Sequence, residues 1–77
     1  MLNSTALRKA VLDYVSTHYP NDFVETARMV GEMKQLPSLQ GNSDREIYVA
    51  IFSLCDRGHL TLTKGTEISL PTRESKP

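Results

Sequence analysis

The hydrophobic period changes at Gly58, and that change constrains this chain more than any other feature. Before it, apolar residues recur at helical spacing, as in Leu7, Val11 and Val15. After it, Leu60, Leu62, Ile68 and Leu70 alternate with Thr61, Thr63, Glu67 and Ser69, which is the period of a half-buried strand. Parity then selects the turn. A two-residue loop at Lys64 and Gly65 would pair Leu62 with Glu67 and split the apolar residues between two faces. A three-residue loop of Thr63, Lys64 and Gly65 pairs Leu62 with Thr66 and Leu60 with Ile68, so that all four apolar residues share one face. Gly65 suits the left-handed third position of such a loop. Pro71 ends the pairing, and residues 72–77 read as a flexible polar tail behind a single domain over residues 1–71.

The segment before Gly58 reads as three helices. Asn3, Ser4 and Thr5 offer N-caps for a first helix that runs to about His18, with Ala10 and Tyr14 beside its apolar stripe. Pro20, Asn21 and Asp22 form a turn, and Phe23 and Val24 a brief apolar pair after it. A second helix starts near Glu25 and ends near Leu36, with a core face of Ala27, Val30 and Met33 flanked by Met29. Gly31 inside it costs about 1 kcal/mol against Ala. Residues 37–42 are a polar connector. Ser43 and Glu46 then make a capping box, the hydroxyl accepting from the Glu46 amide and the carboxylate reaching back to the Ser43 amide. The third helix runs to about Arg57, where Gly58 stops it.

Composition narrows the function classes. Nine Lys and Arg balance nine Asp and Glu, and the phosphate contacts of a strong non-specific nucleic-acid binder call for a basic excess. Cys55 is the single cysteine, so no internal disulfide forms and a reducing, cytoplasmic setting is expected. No apolar run nears the roughly 20 residues that span a bilayer, and the first residues do not read as a signal peptide. His18 and His59 lack companions at ligand spacing, so no metal site and no cofactor is expected. Without a Gly-rich phosphate loop or a nucleophile–base pair, the chain does not read as an enzyme.

Ile51, Leu54, Arg57, Gly58, Leu60, a Gly65 turn and Ile68 together resemble the end of the third helix and the wing of winged helix-turn-helix domains. With the two preceding helices the likeness covers about residues 4–70. It implies a mainly α fold with a small β-hairpin: three helices plus a two-stranded wing. The connector at residues 37–42 is longer than a tight helix-turn-helix turn. The resemblance implies that the front of the third helix enters the major groove of double-stranded DNA and that the wing tip touches the backbone or the minor groove. Asn42, Ser43, Arg45 and Tyr48 on the helix, with Thr63 and Lys64 at the wing, are the DNA-binding candidates. Arg forks onto guanine, Asn pairs with adenine, and hydroxyls hold phosphates. Asp44 and Glu46 at the helix start oppose that use.

A second signal lies in the third helix itself. Residues 47–52 are apolar nearly all round. Ile47, Ala50, Ile51 and Leu54 fill the inward stripe, which leaves Tyr48, Val49 and Phe52 to contact a second subunit or another protein, or to lie under the hairpin and first helix. The leading expectation is a dimeric DNA-binding transcriptional regulator. The alternative is a winged-helix protein–protein interaction module, or a small inhibitor of a host protein, that binds no nucleic acid.

Overall fold

A computed structural model describes residues 1–63 and 66–71. Its order is α1 (Ser4–His18), β1 (Val24–Glu25), α2 (Thr26–Met33), a 3-10 turn (Pro37–Leu39), α3 (Asp44–Asp56), β2 (Thr61–Thr63) and β3 (Glu67–Ser69). The fold is mainly helical with one small antiparallel sheet. Lys64, Gly65 and the tail at residues 72–77 lie outside the described residues, and with them the expected conformation of the Gly65 turn.

The helix ends follow from local chemistry. Asn3 caps α1, its side chain accepting from the Ala6 amide at 2.9 Å. Leu7, Val11 and Val15 form the buried stripe of α1, as their spacing predicts. At the far end of α3, Gly58 takes φ +81°, a conformation that disfavours any side chain. The His59 amide then donates to the Leu54 carbonyl at 2.9 Å and the Gly58 amide to the Cys55 carbonyl at 3.1 Å. These two bonds close α3 as a Schellman motif and aim the chain into β2.

The sheet corrects the two-stranded expectation. It has three strands in the order β1-β3-β2. Val24, read as half of a brief apolar pair, is the first residue of β1 and pairs with Ile68, while Glu25 pairs with Glu67. Two strand residues are too few to show an alternating pattern, so sequence period could not reveal them. The hairpin register is also corrected. Leu62, not Leu60, faces Ile68, and Thr63 faces Glu67. The loop is moved along by one residue, which keeps the parity and hence the shared face. Val24, Ile68 and Leu62 therefore form one row across the sheet. Its centre is fully buried and its β2 end is not, with Leu62 41% exposed.

The second helix is shorter than expected. It starts at Thr26, whose amide and hydroxyl both donate to the Thr66 carbonyl, tying the helix start to β3. It ends at Met33 rather than near Leu36. Thr26, Met29, Val30 and Met33 are its buried residues; Ala27, expected on the core face, is exposed. The buried face starts from Thr26, which its bonds to Thr66 hold inward, and continues at Met29, Val30 and Met33. The connector is not wholly polar either, since Leu39 is buried and joins the core.

The core comprises α1 (Leu7, Val11, Val15), α2 (Met29, Val30, Met33), α3 (Ile47, Ala50, Ile51, Leu54), and Val24, Leu39, Leu60 and Ile68. A polar cluster closes one side of it. The Tyr14 and Tyr19 hydroxyls donate to the same Glu32 oxygen at 2.9 and 2.7 Å, and Arg28 donates to the other at 3.1 Å. Desolvation, then the bond to Glu32, pushes the Tyr14 hydroxyl up to about 12.

Two outcomes follow from this packing. Ile68→Ala should lower the unfolding free energy by about 3 kcal/mol in chemical denaturation, because it empties the centre of the sheet. The Tyr14 bond needs the neutral hydroxyl, whose folded value lies above its ordinary 10.0. Its stabilisation is therefore complete below that ordinary value and lost as pH rises through the folded one. Tyr14→Phe should remove that alkaline loss in denaturation midpoints measured against pH.

Candidate functional site

The start of α3 is fixed by a connected set of hydrogen bonds. Ser43 Oγ accepts the Glu46 amide at 3.1 Å, and Glu46 Oε1 accepts the Ser43 amide at 3.0 Å, completing the capping box. Asn42 Nδ2 donates to the same Glu46 oxygen at 2.9 Å. Asn42 also clasps the N-terminal segment: its Oδ1 accepts the Leu2 amide at 2.9 Å, and its Nδ2 donates to the Leu2 carbonyl at 3.1 Å. The bonds from Asn42 and from the Ser43 backbone hold the Glu46 carboxyl below its ordinary range. Asp44, the other acid of the first turn, is paired with Lys34 Nζ at 2.8 Å.

One DNA-binding candidate, Asn42, lies inside this network. Asn42 is 4% exposed, and its amide is held by Leu2 and Glu46. These bonds take both Nδ2 protons and one acceptor site of Oδ1. Local pattern holds no sign of this, because the partner backbone at Leu2 lies 40 residues away. Ser43 sits at the surface as the cap. Arg45 is exposed, Tyr48 is half-buried, and Thr63 is half-buried at the end of β2. Thr63 faces Glu67, which faces Glu25 in turn. The hairpin end of the sheet thus carries two neighbouring carboxylates. Lys64 lies outside the described residues.

Two features remain at the surface of α3. The first is a groove of about 630 Å³ between the start of α1 and α3. Arg8 and Arg45 share it with an apolar wall that includes Leu2, Leu7 and Val49. Neither arginine forms an ion pair among the described residues. The second is the outward face of the helix. With Ile47, Ala50, Ile51 and Leu54 turned inward, Val49 is 59% and Phe52 41% exposed. The Tyr48 ring stacks on Phe52 with centroids 6.2 Å apart, bracing it from the side. Of the three interface candidates, Val49 and Phe52 lie open and Tyr48 is partly packed. Asp56, exposed at the end of the same helix, lies seven residues from Val49 and four from Phe52, a spacing that places it on this face. That spacing is legible in the sequence.

Cys55 is half-buried beside this face, its thiol pushed up by burial and then by Asp56. Among the described residues no three of His, Cys, Asp and Glu converge as ligands for a metal ion, and no helix is long and apolar enough to cross a membrane. No family model matches the chain, and no curated protein or solved structure matches it significantly.

The carboxylate at the start of α3 sets a pH dependence. Glu46 has a folded value below its unfolded one, so its contribution is present above the ordinary carboxylate range and is lost as pH falls through the folded value. Glu46→Gln should flatten this part of the acid limb when denaturation midpoints are measured against pH. The wild-type protein should keep the steeper fall.

Proposed function

We propose that the chain is a winged-helix protein-interaction module whose contact face is the outward side of α3. Two features support the winged-helix reading. The β2–β3 hairpin follows α3 directly, as a wing does, and β3 folds back onto the strand between the first two helices. The observation that carries the interaction reading is the exposure of Val49 and Phe52 on a helix that already buries four residues on its inner side. A helix apolar on both sides is ordinarily covered on both sides.

Duplex DNA, first in the sequence-based order, becomes the second reading. What favours it is a pair of arginines in one groove, Arg8 and Arg45, that form no ion pair among the described residues. What opposes it is the charge elsewhere. The exposed face of α3 offers one cation and one carboxylate around an apolar centre, and the sheet sets Glu25 beside Glu67. Phosphate binding draws on a local excess of cations. A regulator that bound DNA through this helix would bury Val49 and Phe52 against a polar groove.

The double substitution Val49→Ser/Phe52→Ser separates the readings. It should leave the unfolding free energy within about 1 kcal/mol of wild type, since both residues are exposed. It should abolish co-purification of the protein partner that wild type brings from its native cell. Fluorescence polarisation with labelled duplexes in roughly 50 mM salt, where phosphate contacts are strong, should show no binding. Duplex binding there that Arg8→Ala and Arg45→Ala weaken would put the DNA reading first.

A further inference from the structure

The outward face of α3 is self-complementary, and we infer that its partner is a second copy of this chain, packed with the two α3 helices antiparallel about a two-fold axis. The inference rests on the interaction reading above and names the occupant of that face. Arg45, Val49, Phe52 and Asp56 lie at spacings of four, three and four residues and are all exposed. Such spacing keeps side chains on one face of a helix. It also reads the same in both directions. A two-fold axis between Ala50 and Ile51 sets Val49 against the partner's Phe52 and Arg45 against the partner's Asp56, each twice. The apolar pair falls at the centre and the ion pairs at the rim, the usual anatomy of a protein interface. A two-fold contact of this isologous kind closes on itself and stops at a dimer.

Charge placement gives a second, independent argument. Arg45 lies in the first turn of α3 and Asp56 is its last residue. Each sits at the end of the helix whose dipole has its own sign, where it is disfavoured. Neither forms an ion pair among the described residues. The two acids of the helix start are engaged within the chain, Asp44 by Lys34 and Glu46 by Asn42 and Ser43. Among the described residues, the two misplaced charges of the helix are thus the two without an ion pair. An antiparallel partner brings each the opposite charge and the opposite dipole end. Phe52 is already braced by Tyr48, so little ordering is needed on contact.

One helix face is smaller than the standard interface of about 800 Å² per partner, so the dimer forms at high micromolar concentration and weakens with salt. Charge reversal tests the pairing by sedimentation equilibrium. Arg45→Glu and Asp56→Arg should each weaken self-association about tenfold, because each sets like charges together. An equimolar mixture of the two variants should associate as wild type does, since a mixed dimer restores both ion pairs; so should the double variant R45E/D56R. Circular dichroism should show every variant folded. A wild-type chain that stays monomeric to about 1 mM, or a mixture that behaves as its separate components, overturns the inference. If wild type is monomeric and yet Val49→Ser/Phe52→Ser abolishes co-purification of a different protein, self-pairing falls and α3 remains the contact face.

Discussion

Strand β3 is the constraint on which the rest of the structure depends. It is the last element of the described residues and lies in the middle of the sheet, with β1 on one side and β2 on the other. Ile68 at its centre is wholly buried and faces Val24 across one pairing and Leu62 across the other. Through β1 it holds the start of α2, where Thr66 takes two bonds from Thr26. Through β2 it holds the end of α3 by way of the Schellman turn at Gly58. A strand of three residues thus connects elements from both halves of the chain. A small core gains most from such non-local closure, because a chain of this size buries a modest fraction of its surface.

Two polar nodes work at the edges of that core. Asn42 joins the N-terminal segment to the start of α3, and Glu32 joins the end of α1 to α2 through two tyrosines. Both nodes gather several donors onto one carboxylate. Hydrogen bonds of this kind gain strength from the charge and fix geometry that apolar contacts leave loose. With α3 oriented at its first turn by Asn42 and at its last by Gly58, the direction of its outward face is settled by the fold.

The features legible in the sequence are those written in local period and local chemistry. The stripe of α1, the capping box of α3 and the Gly58 stop all involve residues within one or two turns of each other. The shared face of the hairpin was legible as parity, yet its register was not, because moving the loop by one residue preserves parity. What depends on distant partners was hidden. Val24 becomes a strand residue only when Ile68 arrives beside it. Ala27 lies outside the core, and Thr26, bonded to the distant Thr66, takes the inward place beside it. Asn42 reads as an exposed polar residue until Leu2 folds over it. For the site, Val49 and Phe52 were legible as surplus apolar residues on a helix with a full inner stripe. Asp56 is legible too, in the spacing of four, three and four residues that it completes with Arg45, Val49 and Phe52.

Arg45 makes the two readings of α3 mutually exclusive. It lines the groove that holds Arg8 and also ends the exposed face that includes Val49. A guanidinium engaged by the partner's Asp56 is no longer a free cation, and Arg8 alone is then a weak point for phosphate. Conversely, a duplex laid along α3 would cover Val49 and Phe52 and forbid the antiparallel copy. The balance between these uses turns on desolvation. An apolar pair gains by leaving water for another apolar surface and gains nothing beside phosphate. The physical character of Val49 and Phe52, more than the charge of Arg45, is what supports the proposal of a protein surface.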